Sequence, residues 1–262
     1  MIPKVIHYCW FGKQKKSKLI KECILSWKQF LPDYEIIEWN ETNCDFSSSF
    51  IKNAYKCKKW AFVADYIRLK ILYEKGGIYL DTDMMVVKSF DSLLREECFL
   101  GAEDENYINC AVIGSKKNNA FIKECISRYE LININFQTNW SHITIPKVVT
   151  SVFRERYNYG LPFNQLIATH DLVIFPINYF YPLPHNKRQD NRNYENYLAV
   201  ESFAVHLWSS SWVTNSEFQD LRNAEYRIGF GKVFDKLKKD RKLNSNYIRK
   251  LLSALKESFY FK

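Results

Sequence analysis

The 262-residue sequence lacks several features that would assign it to other classes of protein. No apolar run approaches the roughly 18 residues of a spanning helix, and the strand-like start, Met-Ile-Pro-Lys-Val-Ile-His, is unlike a cleaved signal peptide. Its seven cysteines include no Cys-x-x-Cys pair, which argues against a zinc site or a disulfide framework. We therefore expect a cytoplasmic protein with reduced thiols and one substantial core.

The sequence has an excess of positive charge. The chain has 38 basic and 29 acidic residues, a formal net charge of +9. Such an excess is typical of proteins that bind an anion, whether a nucleotide, a nucleic acid or an anionic membrane surface. A soluble protein with a lysine-rich surface explains it equally well.

Apolar runs of strand length alternate with helical patterns along the chain, as in α/β proteins. A strand over 4–10, a helix over 17–30 and a strand over 34–39 match the opening of a nucleotide-binding sheet. A helix over 59–75 ends at Gly76-Gly77, where a left-handed C-cap needs glycine. We predict further strands over 84–87, 98–102, 110–113, 172–175 and 204–207, and a helix over 120–129.

Residues 75–83, Lys-Gly-Gly-Ile-Tyr-Leu-Asp-Thr-Asp, combine a helix stop, a short apolar strand and two carboxylates. With 12 aspartates in the chain, chance alone supplies about half an Asp-x-Asp, so the bare pattern is weak. Its context carries more weight, because an apolar strand that ends in charged residues fits the cleft at the carboxyl edge of an open sheet. There, Asp81 and Asp83 are suited to hold Mg²⁺ or Mn²⁺ against a diphosphate.

A charged pair interrupts the apolar arc of the helix over 59–75. At helical spacing, Asp65 and Arg68 fall between two groups of apolar side chains. Burying charge is costly unless it is paired or bound to something. The pair is therefore either an internal salt bridge or a set of polar groups that reaches toward Asp81 and Asp83.

A third candidate lies late in the chain. His206 follows a short apolar strand, as Asp83 does, and imidazole is a suitable third ligand for Mn²⁺. A lone histidine is more often structural. The aromatic- and proline-rich segment 175–185 before it fits either a platform for sugar rings or a stiff loop.

Taken in order, these motifs resemble glycosyltransferase family 32. These are the DXD-containing sugar transferases of capsule and O-antigen synthesis, similar to fungal Golgi mannosyltransferases and to the catalytic domains of large glucosylating toxins. The resemblance covers most of residues 1–212 and implies a GT-A-like nucleotide-binding fold, with a central mixed, mostly parallel sheet flanked by helices. It rests on the motifs Trp10-Phe11-Gly12, Trp60-Ala61-x-x-Ala64-Asp65-x-x-Arg68, Gly76-Gly77-Ile78-Tyr79-Leu80-Asp81-x-Asp83 and His206-x-Trp208-x-x-Ser211-Trp212.

The resemblance implies residues that bind the nucleotide-sugar donor. Trp10 would stack on the uracil of a UDP-sugar, as an alternative to a purely structural place in the core. Asp65 and Arg68 would bind the donor sugar and the diphosphate. Asn109 would contact the donor sugar.

It also implies the metal site. Asp83 would bind Mn²⁺ or Mg²⁺ directly, while Asp81 would contact the ribose and reach the metal through water. His206 would complete the metal shell. Ser209-Ser210-Ser211-Trp212 would form the flexible segment that closes over the diphosphate, with Ser211 and Trp212 among the donor-binding residues.

The activity that the resemblance implies is retaining. We expect transfer of a hexose or N-acetylhexosamine from a UDP-sugar to a growing, polyprenyl-linked oligosaccharide in capsule or O-antigen synthesis. Every carboxylate singled out already has a metal or donor role, so a front-face mechanism is preferred to a covalent one. Two alternatives remain: a metal-dependent nucleotidyl- or phosphoryltransferase, and a non-catalytic binder of an anionic polymer.

The last fifty residues lie outside the resemblance. We assign residues 1–212 to the catalytic domain and 213–262 to a basic helical extension. Within 232–262, Leu251, Leu252, Leu255 and Phe259 recur at helical spacing beside lysines. Such a helix suits the anionic inner face of a membrane, so peripheral attachment there is expected, with a solvated helix packed on the domain as the alternative. We expect no nucleic-acid partner.

Overall fold

The computed structural model describes residues 1–13, 15–134, 138–209, 217–222, 226–240 and 244–259. The chain divides into two compact units, Met1–Ser209 and Ser210–Lys262. In the first unit, strands and helices alternate as expected. The strands are β1 (Val5–Cys9), β2 (Glu35–Trp39), β3 (Gly77–Leu80), β4 (Met84–Val86), β5 (Cys98–Ala102), β6 (Ile108–Ser115), β7 (Ile167–Ala168), β8 (Val173–Phe175) and β9 (Ala204–His206). The α-helices are α1 (Lys18–Phe30), α2 (Ser49–Lys56), α3 (Trp60–Lys75), α4 (Ala120–Glu130) and α5 (Ile145–Tyr157).

Seven strands form one sheet in the order β2-β1-β3-β6-β5-β8-β7. Strands β1, β2, β3, β5 and β8 share one direction, while β6 and β7 run the opposite way. The expected mixed, mostly parallel sheet flanked by helices is therefore confirmed. Because strand side chains alternate between faces, Ile78 and Leu80 of β3 enter one core layer with Trp27, and Tyr79 enters the other.

Two glycines turn the chain from α3 into β3, as the helix-stop signal predicts. Gly76 has φ +70° and Gly77 has φ +109°, a region that favours glycine. A Cβ atom on Gly77 would lie 2.8 Å from the carbonyl oxygen of Val5 on the neighbouring strand. The turn therefore lets β3 enter the sheet directly beside β1.

Strand β4 lies outside the main sheet. It pairs antiparallel with β9 in a separate two-stranded sheet, with Met84 opposite His206. The sequence predicts both strands but contains no local signal for this pairing, which joins segments far apart in the chain. The pairing brings the end of β9 to Asp83, one residue before β4.

Three elements were not predicted: α2, α5 and β7. The helix α5 contains Val148, Val149 and Thr150, whose branched side chains favour strands when read locally. Pro146 in its first turn is the signal that could have indicated a helix start. Packing decides in favour of the helix, since Val149 is fully buried in the core layer that also contains α3 and α4.

All seven cysteines lie among the described residues and are unpaired, and five of them are buried. The expectation of reduced thiols therefore agrees with the structure. Burial raises the pKa of the Cys110 thiol well above its ordinary value, so this side chain acts as a small apolar group.

The second unit is helical, as expected, with α6 (Glu217–Arg222), α7 (Tyr226–Asp240) and α8 (Ser245–Phe259). Leu221, Val233, Tyr247 and Ala254 are buried. Among the described residues of the whole chain, no helix combines the length and the apolar character needed to cross a membrane.

Candidate active site

A buried arginine joins α3 to the tip of β3. Arg68 Nη2 lies 2.9 Å from Asp65 Oδ1 and 3.2 Å from Asp81 Oδ1. Its Nη1 donates to the carbonyl oxygen of Cys110 at 2.7 Å, and its guanidinium carbon lies 4.4 Å from the centre of the Tyr79 ring. The geometry agrees with both interpretations of the sequence. Asp65 and Arg68 form an internal salt bridge, and Arg68 also reaches Asp81 at the strand tip.

Asp83 is enclosed by the segment that follows β9. His206 Nε2 lies 3.1 Å from Asp83 Oδ1, and the backbone N–H of Ser209 donates to Asp83 Oδ2 at 2.7 Å. The N–H of Leu207 donates to the carbonyl oxygen of Asp83 at 3.0 Å. Both carboxylate oxygens of Asp83 are therefore held in place, whereas Asp81 keeps 29% of its side chain exposed.

These side chains fit a divalent cation. Asp81, Asp83 and His206 each offer a ligand atom, and the three atoms lie within 4.8 Å of one another. Two adjacent ligands of an octahedral cation with bonds of about 2.1 Å lie about 3 Å apart, close to the 3.1 Å between His206 Nε2 and Asp83 Oδ1. His206 Nδ1 and Ser209 Oγ are buried without a hydrogen-bond partner among the described residues. These two atoms could therefore still form hydrogen bonds to a ligand or to water. Two carboxylates and an imidazole suit Mn²⁺ or Mg²⁺.

Burial and neighbouring charges set the protonation of the site. Burial raises the pKa of Asp65 to about 7, against the opposing effect of Arg68. Burial also disfavours the charged forms of Asp83 and His206, but their mutual attraction outweighs it, so the pKa of Asp83 is lowered and that of His206 is raised. The triad therefore contains an ionised carboxylate and an imidazole whose proton competes with a cation.

Two surface grooves, of about 490 and 600 Å³, lie beside α3 and share Lys70 and Glu74 in their walls. Neither is lined by Asp81, Asp83 or His206. The candidate site is therefore defined by its ligand chemistry and not by the size of a groove.

Residues 17–100 match the family model described as glycosyltransferase sugar-binding region containing DXD motif. This segment includes Asp65, Arg68 and the Asp81-x-Asp83 pair. The chain contains a glycosyltransferase sugar-binding region with a DXD motif. The resemblance to glycosyltransferase family 32 is thereby confirmed.

Curated relatives of this chain include three named transferases. The human alpha-1,4-N-acetylglucosaminyltransferase is 26% identical over 195 residues, which cover 71% of this chain and 51% of the relative. Inositol phosphoceramide mannosyltransferase 3 of Schizosaccharomyces pombe is 26% identical over 52% of this chain and 39% of the relative. Mouse lactosylceramide 4-alpha-galactosyltransferase is 26% identical over 56% of this chain and 40% of the relative. The chain thus spans about half or less of the length of these relatives.

Solved structures with a similar arrangement include the PaToxG glycosyltransferase, with a TM-score of 0.48 and 20% identity. That match covers 60% of this chain and 70% of the other. A glycosyltransferase that glycosylates the major capsid of PBCV-1 gives a TM-score of 0.46 and 11% identity, over 79% of this chain and 95% of the other.

The structure places Trp10 half-buried directly after β1, with Lys16 Nζ 5.3 Å from its ring centre. Ser211 and Trp212 lie outside the described residues. The donor-binding roles of all three remain predictions. From the predicted set, the structure therefore brings together Asp65, Arg68, Asp81, Asp83 and His206.

Asn109 is linked to the same edge of the sheet. It lies in β6, where its Oδ1 accepts from the N–H of Ala111 at 2.7 Å. The carbonyl oxygen of Ala111 in turn accepts from the N–H of Asp81 at 2.8 Å. Asn109 Nδ2 donates to Glu103 Oε2 at 2.8 Å, so the amide is held by two partners. Its contact with a donor sugar remains a prediction.

Sequence reasoning gave no role to Glu103 or Trp208 and placed Ser209 only in the closing segment, not on Asp83. Glu103 directly follows β5 as Asp81 directly follows β3, and that position was a usable signal. Trp208 was visible only as part of the His206-x-Trp208 motif. The contact of Glu103 with Asn109 depends on the pairing of β5 with β6. The contacts of Trp208 and Ser209 depend on the pairing of β4 with β9 and on the path of the chain after β9.

Proposed function

We propose that this chain is a retaining, metal-dependent glycosyltransferase that moves a hexose or N-acetylhexosamine from a UDP-sugar to an oligosaccharide acceptor. The observation that carries the proposal is the triad of Asp81, Asp83 and His206 beside Arg68, at the carboxyl edge of β3. A triad of this chemistry can hold a divalent cation, and such a cation can neutralise the charge of a diphosphate.

Each residue of the triad has a distinct task in this proposal. Asp83 is the direct ligand of Mn²⁺ or Mg²⁺, because both of its oxygens are oriented and its pKa is lowered. His206 is the second direct ligand. Asp81 is more exposed and is oriented by Arg68 and Tyr79, so it reaches the cation or the ribose as the more replaceable partner. A bound cation supplies stabilisation of the negative charge that develops on the leaving diphosphate.

Arg68 acts mainly as an organiser in this scheme. Its Nη1, Nη2 and Nε atoms already donate to Cys110, Asp65 and Ala64, which leaves little capacity for a ligand. Its fixed charge orients Asp65 and Asp81 toward the donor. We assign Trp10 to the uracil and Asn109 to the donor sugar, with Ser211 and Trp212 in the segment over the diphosphate.

For the chemical step we propose a front-face mechanism. The acceptor hydroxyl attacks the anomeric carbon from the side of the departing diphosphate, and a phosphate oxygen of the leaving group takes the hydroxyl proton. Glu103 is the carboxylate to test against this scheme, since it lies beside Asn109 and outside the metal ligands. A covalent sugar trapped on Glu103, or on another carboxylate of the wild-type protein, would overturn it.

The proposal is tested by UDP release from UDP-glucose, UDP-galactose and their N-acetyl forms in the presence of Mn²⁺. GDP-mannose is included because one relative is a mannosyltransferase. We expect release from one UDP-sugar by the wild-type protein and a loss of at least about 100-fold in Asp83→Asn, because loss of a group that only orients a metal ligand already costs about 10–100-fold.

Asp91→Asn is the matched control for this assay. Asp91 is an exposed carboxylate that pairs with Lys4 at 2.9 Å, so its loss should leave UDP release unchanged. Equal release by Asp83→Asn and the wild type would contradict the metal site. Release from GDP-mannose alone would contradict the assignment of UDP.

The two alternative functions predict other results. A nucleotidyl- or phosphoryltransferase usually recruits a further carboxylate from a later strand, whereas in the described part of the chain the third group of the triad is His206. A nucleotidyltransferase would release pyrophosphate from a nucleoside triphosphate, and a phosphoryltransferase would leave a nucleoside diphosphate from a triphosphate, so neither would release UDP from a UDP-sugar. A binder of anionic polymer needs no metal, and its affinity would be equal in the wild type and in Asp83→Asn.

The acceptor in this proposal is a lipid-linked oligosaccharide of capsule or O-antigen synthesis, presented at the inner face of the cytoplasmic membrane. Two relatives are named for ceramide-linked acceptors, which makes a lipid-anchored acceptor plausible here. Residues 1–212 would be the catalytic domain and 213–262 the membrane-binding extension. Nucleic acid has no part in this function.

The second unit has the charge and the exposed apolar groups that membrane binding needs. Residues 210–262 contain 12 basic and six acidic residues, so they hold +6 of the net +9. Phe234 of α7 and Leu252 of α8 are each 61% exposed. Lys238 and Lys256 follow them by one helical turn, an arrangement that suits an anionic lipid surface.

Co-sedimentation with vesicles of phosphatidylglycerol and phosphatidylcholine tests the membrane contact. We expect binding to the mixed vesicles, little binding to phosphatidylcholine alone, and a clear loss in Phe234→Ser/Leu252→Ser. Leu25→Ser is the control, because Leu25 is equally exposed, at 62%, on α1 of the first unit. Unchanged co-sedimentation after deletion of 232–262 would contradict the contact.

A further inference from the structure

Trp208 has a backbone conformation that a tryptophan rarely adopts. Its φ is +51°, in the left-handed region. The other non-glycine residues with positive φ in the described part of the chain are Lys13, Lys58, Asn118 and Asn158. Asparagine tolerates this region and lysine projects into solvent, whereas a bulky, half-buried side chain in it marks a local constraint.

The left-handed residue lies between two backbone donors that both point at Asp83. Leu207 N–H donates to the carbonyl oxygen of Asp83 at 3.0 Å, and Ser209 N–H donates to its Oδ2 at 2.7 Å. On an extended strand, the N–H groups of residues i and i+2 point to the same side but lie about 6.6 Å apart. The left-handed turn at Trp208 instead places the N–H groups of Leu207 and Ser209 so that both donate to Asp83.

The indole ring of Trp208 packs against the imidazole of His206. Their ring centres are 3.9 Å apart with an angle of 43° between the planes, and His185 lies 5.1 Å away on the same indole. Trp208 Nε1 donates to the carbonyl oxygen of Leu183 at 2.8 Å, which fixes the ring. The indole thus connects His206 to a neighbouring loop.

This packing replaces a contact that metal-binding histidines normally have. A ligating histidine usually donates its second ring N–H to a carboxylate or a carbonyl oxygen, and this bond sets the orientation of the ring. His206 Nδ1 is buried and has no such partner among the described residues. Apart from the contact of Nε2 with Asp83, packing orients this imidazole, and the indole of Trp208 lies nearer to it than the ring of Tyr181 does.

We propose that Trp208 is a positioning residue for the metal site. Its ring orients His206, and its left-handed backbone holds the N–H of Ser209 on Asp83 Oδ2. The inference rests on the proposed function, because it takes Asp83 and His206 to be metal ligands. The two contributions are separable, because Trp208→Gly removes the ring and relaxes the backbone, whereas Trp208→Phe keeps an aromatic ring but loses the bond to Leu183.

The experiment is titration of the full-length protein with Mn²⁺ alone, followed by electron paramagnetic resonance of the free ion. We expect Trp208→Gly to raise the Kd for Mn²⁺ by about 10–100-fold, the range for loss of a group that orients a metal ligand. Trp208→Phe should raise the Kd for Mn²⁺ by a smaller factor. Trp208→Ala should raise the Kd more than Trp208→Gly does, because alanine, unlike glycine, is strained in the left-handed region. Near-UV circular dichroism checks that each variant is folded.

Trp140→Gly is the matched control, since Trp140 is also half-buried but packs on Phe62, and it should bind Mn²⁺ as the wild type does. Wild-type affinity in folded Trp208→Gly would overturn the inference while the metal site stands. If Trp208→Gly does not fold, wild-type affinity in both Trp208→Phe and Trp208→Ala overturns it. A wild-type protein that binds no Mn²⁺ would overturn the metal site and this inference together.

Discussion

The buried Arg68 offers the sharpest test of how the site is held together. Arg68→Leu removes the 2.9 Å ion pair with Asp65 and the 2.7 Å hydrogen bond to the carbonyl oxygen of Cys110. The side chains of Arg68 and Asp65 are only 5% and 8% exposed, so water cannot replace the lost partner. Removing one member of a buried pair typically costs about 3–5 kcal/mol, a large part of the roughly 5–15 kcal/mol that stabilises a domain.

The loss of stability in Arg68→Leu should be larger at high pH than at low pH. The pKa of Asp65 is already about 7, and loss of Arg68 would raise it further. Below pH 6 the carboxyl is neutral and most of the penalty disappears, whereas at pH 8 Asp65 must either stay charged without a partner or bind a proton at a cost. We therefore expect a loss of about 3–5 kcal/mol at pH 8 and a clearly smaller loss at pH 5.5.

Urea unfolding, followed by tryptophan fluorescence at both pH values, measures these losses. The double variant Asp65→Leu/Arg68→Leu should be more stable than Arg68→Leu alone, because no charge is left buried. Arg128→Leu is the control, since its pair with Glu155 is largely exposed and contributes at most about 1 kcal/mol. The reasoning fails if Arg68→Leu costs no more than the control at pH 8, or if the double variant is the least stable.

Three further predictions concern protonation and backbone geometry. Because folding raises the pKa of Asp65 to about 7, the native state binds the extra proton, and wild-type stability should fall relative to Asp65→Asn as the pH rises from about 4 to 7. If urea unfolding shows the same change of stability with pH in these two proteins, the raised pKa assigned to Asp65 is refuted. The raised pKa of His206 implies that Mn²⁺ affinity increases with pH above about 6.5, and His206→Gln should lose that dependence in calorimetric titrations. Gly77→Ala should cost about 2 kcal/mol or more, since its Cβ would lie 2.8 Å from the Val5 carbonyl oxygen. Gly160→Ala, with open space around it, should cost little in the same unfolding assay.

Local sequence signals predicted the elements around the site closely. Helix α3 begins one residue after the predicted start and ends where predicted, because an apolar arc of helical period stops at Gly76-Gly77. The apolar strand and the two carboxylates after it were predicted for the same reason, since a turn residue, a strand and a charged end are neighbours in the chain. The helix α5 was missed because its branched residues favour strands until packing is known.

The sequence by itself determined the α/β class, the residue types of the site and the two strand ends that supply them. These properties depend on periodicity, caps and composition, which act over a few neighbouring residues. Only the tertiary structure decided that His206 faces Asp83, that Arg68 joins Asp65 to Asp81, and that Trp208 turns the chain around a ligand. Those contacts come from the pairing of β4 with β9 and from burial between α3 and β3. Their energies depend on groups distant in the chain, so no local pattern contains them.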